Sequence, residues 1–379
     1  MTEYRFAATQ DLPKVIDFID LVFSQAARPH DFAELIPKVY GGNHDYSAIH
    51  AIALEDGEIR GCVAMLPFEM LVAGHTLRVG YIGSVSVHRL SRGAGHMKKL
   101  MQMQMEKARA DGLDMLVLGG QRQRYGYFGF SPVGGAYSYT VTHANVRHAL
   151  KDTDASVFSF ELLKDNEDSA YAYALYQSQP VCGSRTAENF AEIALTFNSQ
   201  GWIVKWNGMN AGYLIAASDH GEIRELVMED ASSVPAVIKA WMAVHGVRYL
   251  NVRTAPCNKP LNRALSAFAE DYTIGQDSCM LCLHYANVIR SWMTLKNCIT
   301  PLSDGLLHLG IADEVLDIKV DTGTVTVQKS DSSADVQLTP AEVDQLLFGF
   351  NRFYAPEVMC AIPADWFPLP FSIPTIDTF

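Results

Sequence analysis

Between residues 79 and 112 the sequence passes from a strand through a glycine-bearing loop straight into a helix, and few folds accept that succession. Val79 to Val87 alternates as a long strand, Arg92-Gly93-Ala94-Gly95 forms the loop, and the following helix ends at Gly112, a residue suited to a left-handed C-cap. A strand delivered to a helix N-terminus in this way belongs to an α/β arrangement. Glycines let consecutive amides turn inward, and the free amides and positive dipole end of the first helical turn favour an anion there. Residues 89 to 124 add Arg89, Arg92, Lys98, Lys99, Lys107, Arg109, Arg122 and Arg124 against Glu106, Asp111 and Asp114. The segment therefore reads either as a polyphosphate cradle or as a ligand-free turn beside a solvated basic helix. Neither G-x-x-x-x-G-K-S/T nor G-x-G-x-x-G with a later acidic residue is present, which argues against nucleoside triphosphates and dinucleotides.

The flanking sequence extends the pattern. Leu12, Val15, Ile16, Ile19, Val22 and Phe23 recur at helical spacing behind Thr9, Asp11 and Pro13. Ile49 to Leu54 and Gly61 to Leu66 read as a hairpin around Glu55-Asp56-Gly57-Glu58, and Leu113 to Leu118 as a short buried strand. The spacing Gly57-x-x-x-Gly61 returns as Gly208-x-x-x-Gly212, each followed by a strand, but the second copy enters the helix Pro235 to His245 without a glycine loop. This is either a duplication or a coincidence of two hairpins. Near the end, Val315 to Val320 and Thr324 to Lys329 flank a turn, and Thr339-Pro340-Ala341-Glu342 begins a helix reaching about Phe348. Beyond Phe353 the chain is aromatic and proline-rich.

Charge and cysteine usage exclude several classes. The formal charge of −12 argues against nonspecific nucleic-acid binding, and all of it lies beyond residue 145, because residues 1 to 145 hold 14 basic and 14 acidic side chains. No apolar run approaches the roughly 18 residues of a spanning helix; the best, Cys62 to Val72, contains Pro67 and Glu69. Glu3, Arg5 and Asp11 stand where a secretory signal would be apolar, and an odd set of seven cysteines suits a reducing compartment, so a cytoplasmic protein is expected. Cys279 and Cys282 form a C-x-x-C inside an apolar strand without a second ligand pair, so no metal is expected.

A second motif follows the Leu113 to Leu118 strand: Arg124-Tyr125-Gly126-Tyr127-Phe128-Gly129-Phe130. With the loop Arg92 to Met97, it resembles the paired R/Q-x-x-G-x-G/A and Y-x-x-x-G-F/Y motifs of the GNAT acetyltransferases, departing from them at Met97, where chiefly a backbone amide is needed. The loop present once and absent once, followed by a C-terminal hairpin, helix and aromatic tail, is similar to the layout of the enhanced-intracellular-survival (Eis-like) family. That resemblance implies an α/β (α+β) fold of tandem GNAT-like domains, with mixed central sheets flanked by helices, plus a C-terminal sterol-carrier-protein-like α/β domain. The corresponding divisions are 1–145, catalytic; 146–284, degenerate; and 285–379, sterol-carrier-like, with a tail reaching the active site.

The resemblance also implies a reaction, in which a substrate amine attacks the thioester of acetyl-CoA directly, without a metal. A base takes the amine proton, the oxyanion is stabilised, and an acid serves the leaving thiolate. Backbone groups of Val85, Ser86 and Val87 would hold the acetyl carbonyl and pantetheine arm, and Arg92, Gly93, Ala94, Gly95, His96 and Met97 the pyrophosphate. Tyr125 would be the acid, though it also reads as a packed aromatic beside Tyr127 and Phe128. The base would be the α-carboxylate of Phe379, ordinarily ionised at neutral pH. Extended from Pro368, the tail spans about 40 Å, enough to reach the first domain. The acceptor would be a polyamine-like, aminoglycoside-like or lysine amine. Asp31, Glu34, Asp45 and Asp377 are candidate carboxylates for it, while Gln25 replaces an acidic pocket residue of some members, which argues against aminoglycosides. A homo-oligomer, with the hexamer among its forms, is implied as well. The competing expectation is a non-catalytic lipid or small-molecule binding protein with a vestigial GNAT domain.

Overall fold

The computed structural model of the chain describes residues 2–379 except 27, 43, 165–166 and 350–355, so Phe353, where the aromatic tail was expected to begin, lies outside the described residues. The first part of the chain comprises β1 (Thr2–Phe6), α1 (Leu12–Ala26), α2 (Phe32–Leu35), α3 (Pro37–Tyr40), β2 (His50–Glu55), β3 (Glu58–Val72), β4 (His75–Val87), α4 (His96–Ala110), β5 (Met115–Leu118), α5 (Arg122–Tyr125) and β6 (Ser131–Thr142). α1 buries Val15, Phe18 and Ile19 at helical spacing against the sheet. Its entry differs from a simple cap: a 3-10 turn, Thr9–Asp11, precedes it, and the Asp11 carboxylate accepts the Ala8 amide at 2.8 Å while binding Arg5 at 2.6 Å. β3 runs well past the expected Leu66, because Met70 and Val72 keep alternating inward around exposed Leu71.

After these come β7 (Phe158–Leu162), β8 (Val181–Gly183), β9 (Ser199–Trp206), β10 (Met209–Ala217), β11 (Glu222–Met228), the helix Val234–His245, β12 (Tyr249–Thr254) and β13 (Asp271–Cys282). The order β9, β10, β11, helix, β12 reproduces β2, β3, β4, α4, β5, and in both sets the last two strands pair in parallel. The repeated G-x-x-x-G hairpins thus belong to two units of like topology. Their sheets join in the order β1-β2-β3-β4-β5-β13-β6-β12-β11-β10-β9-β7, so the units exchange strands: β13 of the second lies against β5 of the first, and β6 of the first against β12 of the second. β8 adds to the far end of β3.

The C-terminal part packs the helix Tyr285–Ile299 and the helix Pro340–Phe348 with a smaller sheet of β14 (Gly305–Ile311), β15 (Glu314–Asp321), β16 (Thr324–Lys329) and β17 (Val336–Leu338), ordered β16-β15-β14-β17. The expected capping box is present, Thr339 accepting the Glu342 amide and Glu342 the Thr339 amide. From Trp366 onward the chain is pinned along the seam between this part and the large sheet. Trp366, Phe367 and Phe371 are buried in one cluster with Trp292 and Phe348, and Phe379 ends in another cluster, under α1 to α3. Among the described residues, no helix is long and apolar enough to cross a membrane.

Candidate active site

The site begins at a flaw in β4. Cys62 pairs with Ser86 and Ala64 with Gly83, so Ser84 and Val85 together oppose the single residue Val63. This bulge puts Ser84 at φ 50°, a conformation that costs a residue with a Cβ about 1–3 kcal/mol unless its surroundings enforce it. The enforcement is a buried hydrogen-bond chain. His50 Nδ1 faces the carbonyls of Tyr46 (3.0 Å) and Ser47 (3.2 Å) and so carries the proton. Nε2 then accepts from the Tyr40 hydroxyl at 3.0 Å, and the Tyr40 oxygen accepts from Ser84 Oγ at 2.7 Å. Burial lowers the His50 pKa to about 4, which keeps the ring neutral and the chain directional. β4 pairs with β5 only from Val79 to Tyr81, and beyond the bulge the two strands part.

Below the bulge lies a cleft of about 750 Å³, lined by Val85, Ser86, Val87, Arg92, Gly93, Gly95, His96 and Met97 from the strand and loop. Arg124, Tyr127 and Phe128 form its other wall, and Val22, Phe23 and Ala26 of α1 close it above. Gly93 and Gly95 adopt φ 85° and 84°, the left-handed region that glycine alone enters freely, with open space where a Cβ would be. Ala94 is exposed, and its amide turns back to the Ser91 carbonyl. The helical hydrogen bonds of α4 begin with the Lys99 amide on the Gly95 carbonyl, leaving the amides of His96, Met97 and Lys98 without helical acceptors. Lys98 and Lys99 stand in that same first turn, where the helix dipole disfavours cations. Among the described residues, Arg92, Lys98 and Arg124 line the cleft and no carboxylate does, so a polyanion seated there satisfies the amides and offsets the crowding of charge. The residues fit a diphosphate-bearing ligand such as acetyl-CoA.

His96 contributes to this loop by its backbone alone. Its ring is buried, with Nδ1 at 2.9 Å from the Tyr4 hydroxyl and Nε2 at 3.0 Å from Glu55. Glu55 also accepts from Ser91 Oγ at 2.9 Å, so one carboxylate braces both ends of the loop. These hydrogen bonds, Ser91 foremost, hold the Glu55 carboxyl below its ordinary pKa. Glu55 was readable in the sequence only as part of a turn.

Tyr125 and Phe379 pack in clusters on opposite faces of β4. Tyr125 is buried behind Arg124, Tyr127 and Phe128 rather than lining the cleft, and burial raises its pKa, with Arg124 opposing, so the phenol stays protonated at neutral pH. Phe379 is buried against β4 between Tyr40 and Tyr81, with ring centroids 6.4 and 5.9 Å away. Tyr81, which the sequence did not mark, stands beside Phe379, and its hydroxyl accepts the Gly119 amide at 3.1 Å.

The candidate acceptor carboxylates are mostly engaged elsewhere. Asp31 caps α2, Asp45 accepts from Thr9 and Ser47, and Asp377 is enclosed by Arg185 and Tyr176. Glu34 and Gln25 are exposed. All seven cysteines are unpaired, and the described residues contain no cluster of three metal-ligating side chains.

Residues 3–133 match the model of the acetyltransferase (GNAT) domain. The chain also superposes on solved structures along most of its length. A GCN5-related N-acetyltransferase from Kribbella flavida is 16% identical with a TM-score of 0.65, over 91% of this chain and 88% of that one. One from Anabaena variabilis is 16% identical with a TM-score of 0.64, over 91% and 89%. Eis1 from Mycobacterium abscessus is 13% identical with a TM-score of 0.67, and both chains are covered completely. At such identities the likeness is one of fold. Comparison with curated proteins gives no match.

Proposed function

With an acetyltransferase (GNAT) domain over residues 3–133, we propose that the chain transfers an acetyl group from acetyl-CoA to a primary amine of a polyamine-like, aminoglycoside-like or lysine substrate. The observation that carries this reading is the basic, carboxylate-free cleft whose glycine loop and α4 amides end at the β4 bulge, with Phe379 packed against that bulge from the opposite face.

In this reading, the segment Arg92 to Met97 holds the pyrophosphate, chiefly with the backbone amides of Gly93, Gly95, His96 and Met97 while the Ala94 amide closes the loop on Ser91, and Val85, Ser86 and Val87 align the pantetheine arm as a further strand edge. Acetyl-CoA supplies the activated acyl group. The α-carboxylate of Phe379 takes a proton from the attacking amine; the residue is buried, with its ring between Tyr40 and Tyr81 and its backbone oxygen beside Gly83. Tyr125, kept protonated, is assigned as the acid for the departing sulfur, a role that requires its buried hydroxyl to reach the cleft from behind Arg124, Tyr127 and Phe128. Residues 1–145 are the catalytic domain, 146–284 a degenerate counterpart and 285–379 a sterol-carrier-like domain, in a cytoplasmic homo-oligomer. A lipid-carrying role is disfavoured by the side chains that fill the C-terminal core, where Trp292, Trp366 and Phe371 are fully buried.

The test is thiol release from acetyl-CoA across diamines, polyamines, aminoglycosides and lysine peptides, with calorimetric titration of acetyl-CoA alongside. Binding and turnover with at least one amine class are expected. Absence of acetyl-CoA binding at high micromolar concentration would overturn the reading.

A further inference from the structure

The tail is fastened at successive points by different parts of the molecule. Trp366 Nε1 donates to the Ser303 carbonyl at 2.9 Å, the Leu369 amide to Leu347 at 2.6 Å, and the Ile373 amide to the Asp277 carboxylate at 3.0 Å. Lys38 Nζ then reaches the Ile376 carbonyl at 2.5 Å. The last fastening is ionic. Asp377 Oδ1 accepts Arg185 Nε–H at 2.6 Å, and Oδ2 accepts the Tyr176 hydroxyl.

Arg185 is held on every side. Its two terminal nitrogens bind Glu225 at 2.8 and 2.7 Å, and Glu225 accepts Tyr213 as well. The Tyr176 ring lies 3.9 Å beneath the guanidinium, and the side chain is wholly buried. The Tyr176 oxygen also takes the Gly183 amide, and a Cβ on Gly183 would stand 2.6 Å from Asp377 Oδ2. Gly183 ends β8, which pairs with Met70 to Val72 of β3, and β3 in turn pairs Ala64 with Gly83. The clamp belongs to the second unit but is anchored to the strands that carry the first unit's site.

Burying a guanidinium with two carboxylates is a poor way to gain stability, since apolar packing of the same volume serves as well or better. It is an effective way to fix register: Asp377 has one place where its charge is matched. A slip of one residue would move Phe379 by about 3.5 Å, whereas misplacement by about 1 Å already impairs catalysis. We infer that Arg185, with Glu225 and Tyr176, is a positioning device that sets the register of the tail and so places the Phe379 carboxylate; through it the unit lacking a glycine loop takes part in the reaction. This rests on the role proposed for Phe379.

The test compares the full-length protein with Asp377→Asn, Asp377→Glu and Tyr176→Phe, each verified by near-ultraviolet circular dichroism and acetyl-CoA titration. Asp377→Asn keeps the shape and removes the charge. Its kcat should fall about 30-fold or more with the KM for acetyl-CoA within about twofold, while Asp377→Glu and Tyr176→Phe fall less. Carboxypeptidase A followed by intact mass should remove Phe379 readily from Asp377→Asn and slowly from the native protein. Equal protection of Phe379 in the two overturns the clamp. Release of the tail with kcat unchanged overturns its positioning role. If native protein acetylates no amine, the proposed activity fails instead, and the carboxypeptidase comparison still decides whether Arg185 fixes the tail. Should Asp377→Asn not fold, Tyr176→Phe carries both measurements.

Discussion

Gly83 and Phe379 are in contact so close that a methyl group on Gly83 would stand 3.0 Å from the Phe379 backbone oxygen and 3.1 Å from its ring Cζ. Gly83→Ala therefore has to push the tail away from the bulge. Its kcat is expected to fall about 10- to 100-fold, while the added methyl costs at most about 1–3 kcal/mol of stability. Steady-state kinetics beside thermal melting separates the two; native kcat in a variant of native stability would dissociate Phe379 from the reaction.

Extending the chain is the sharper experiment on the same residue. Adding Gly-Ser after Phe379 converts an ionised carboxylate to a neutral amide and leaves the ring its pocket, and deletion of Thr378 and Phe379 removes both. Turnover should drop by about 100-fold or more in each with acetyl-CoA affinity retained, as expected for loss of a proton acceptor. Unchanged kinetics in the extended form would exclude the carboxylate as the base.

Glu55→Ala unties Ser91 and His96 at once. The loop then has to be ordered by its ligand, and the Kd for acetyl-CoA should rise about 5- to 10-fold, the equivalent of roughly one hydrogen bond's net worth. Because Glu55 touches no reacting atom, kcat at saturating acetyl-CoA should stay near the native value. Calorimetric titration measures the first and saturation kinetics the second.

What could be read in advance was whatever chemistry is carried by adjacent residues. Gly93 and Gly95 mark the loop because only their residue type enters the left-handed region freely, and the Tyr125 to Phe130 motif lies within six positions. The side chains that hold these segments were illegible. Glu55 meets His96 across 41 positions and Arg185 meets Asp377 across 192, and nothing in a local pattern encodes a partner at that distance. Asp377 consequently read as a candidate ligand for a cationic acceptor, although its charge is matched by Arg185. His96 read as part of the loop, which is true of its amide but not of its ring.

Asp344 supplies a prediction from acid–base linkage. Burial raises its carboxyl from 3.8 to about 7, with hydrogen bonds from Ser131 and Tyr285 opposing. The folded state therefore holds this proton more tightly than the unfolded chain. The resulting stability is fully present below about pH 4 and is lost as pH rises toward 7. Asp344→Asn keeps the acceptor for Tyr285 without the titration. It should be more stable than the native protein at pH 8, by on the order of 2–4 kcal/mol, and indistinguishable at pH 4. Melting curves at both pH values check this; an equal difference at each would exclude Asp344 as the source.

The exchange of β6 and β13 has a consequence for how the molecule comes into being. β5 has no neighbour on one side until residues 279 to 282 arrive, so the first half cannot close its sheet while the chain is being made and must wait for the second half. Synthesis of the first 145 residues leaves an open strand edge instead of a finished domain, and contacts this distant in sequence form slowly. Dividing the gene between the two units would be expected to give aggregation-prone fragments that become soluble only when both are produced together.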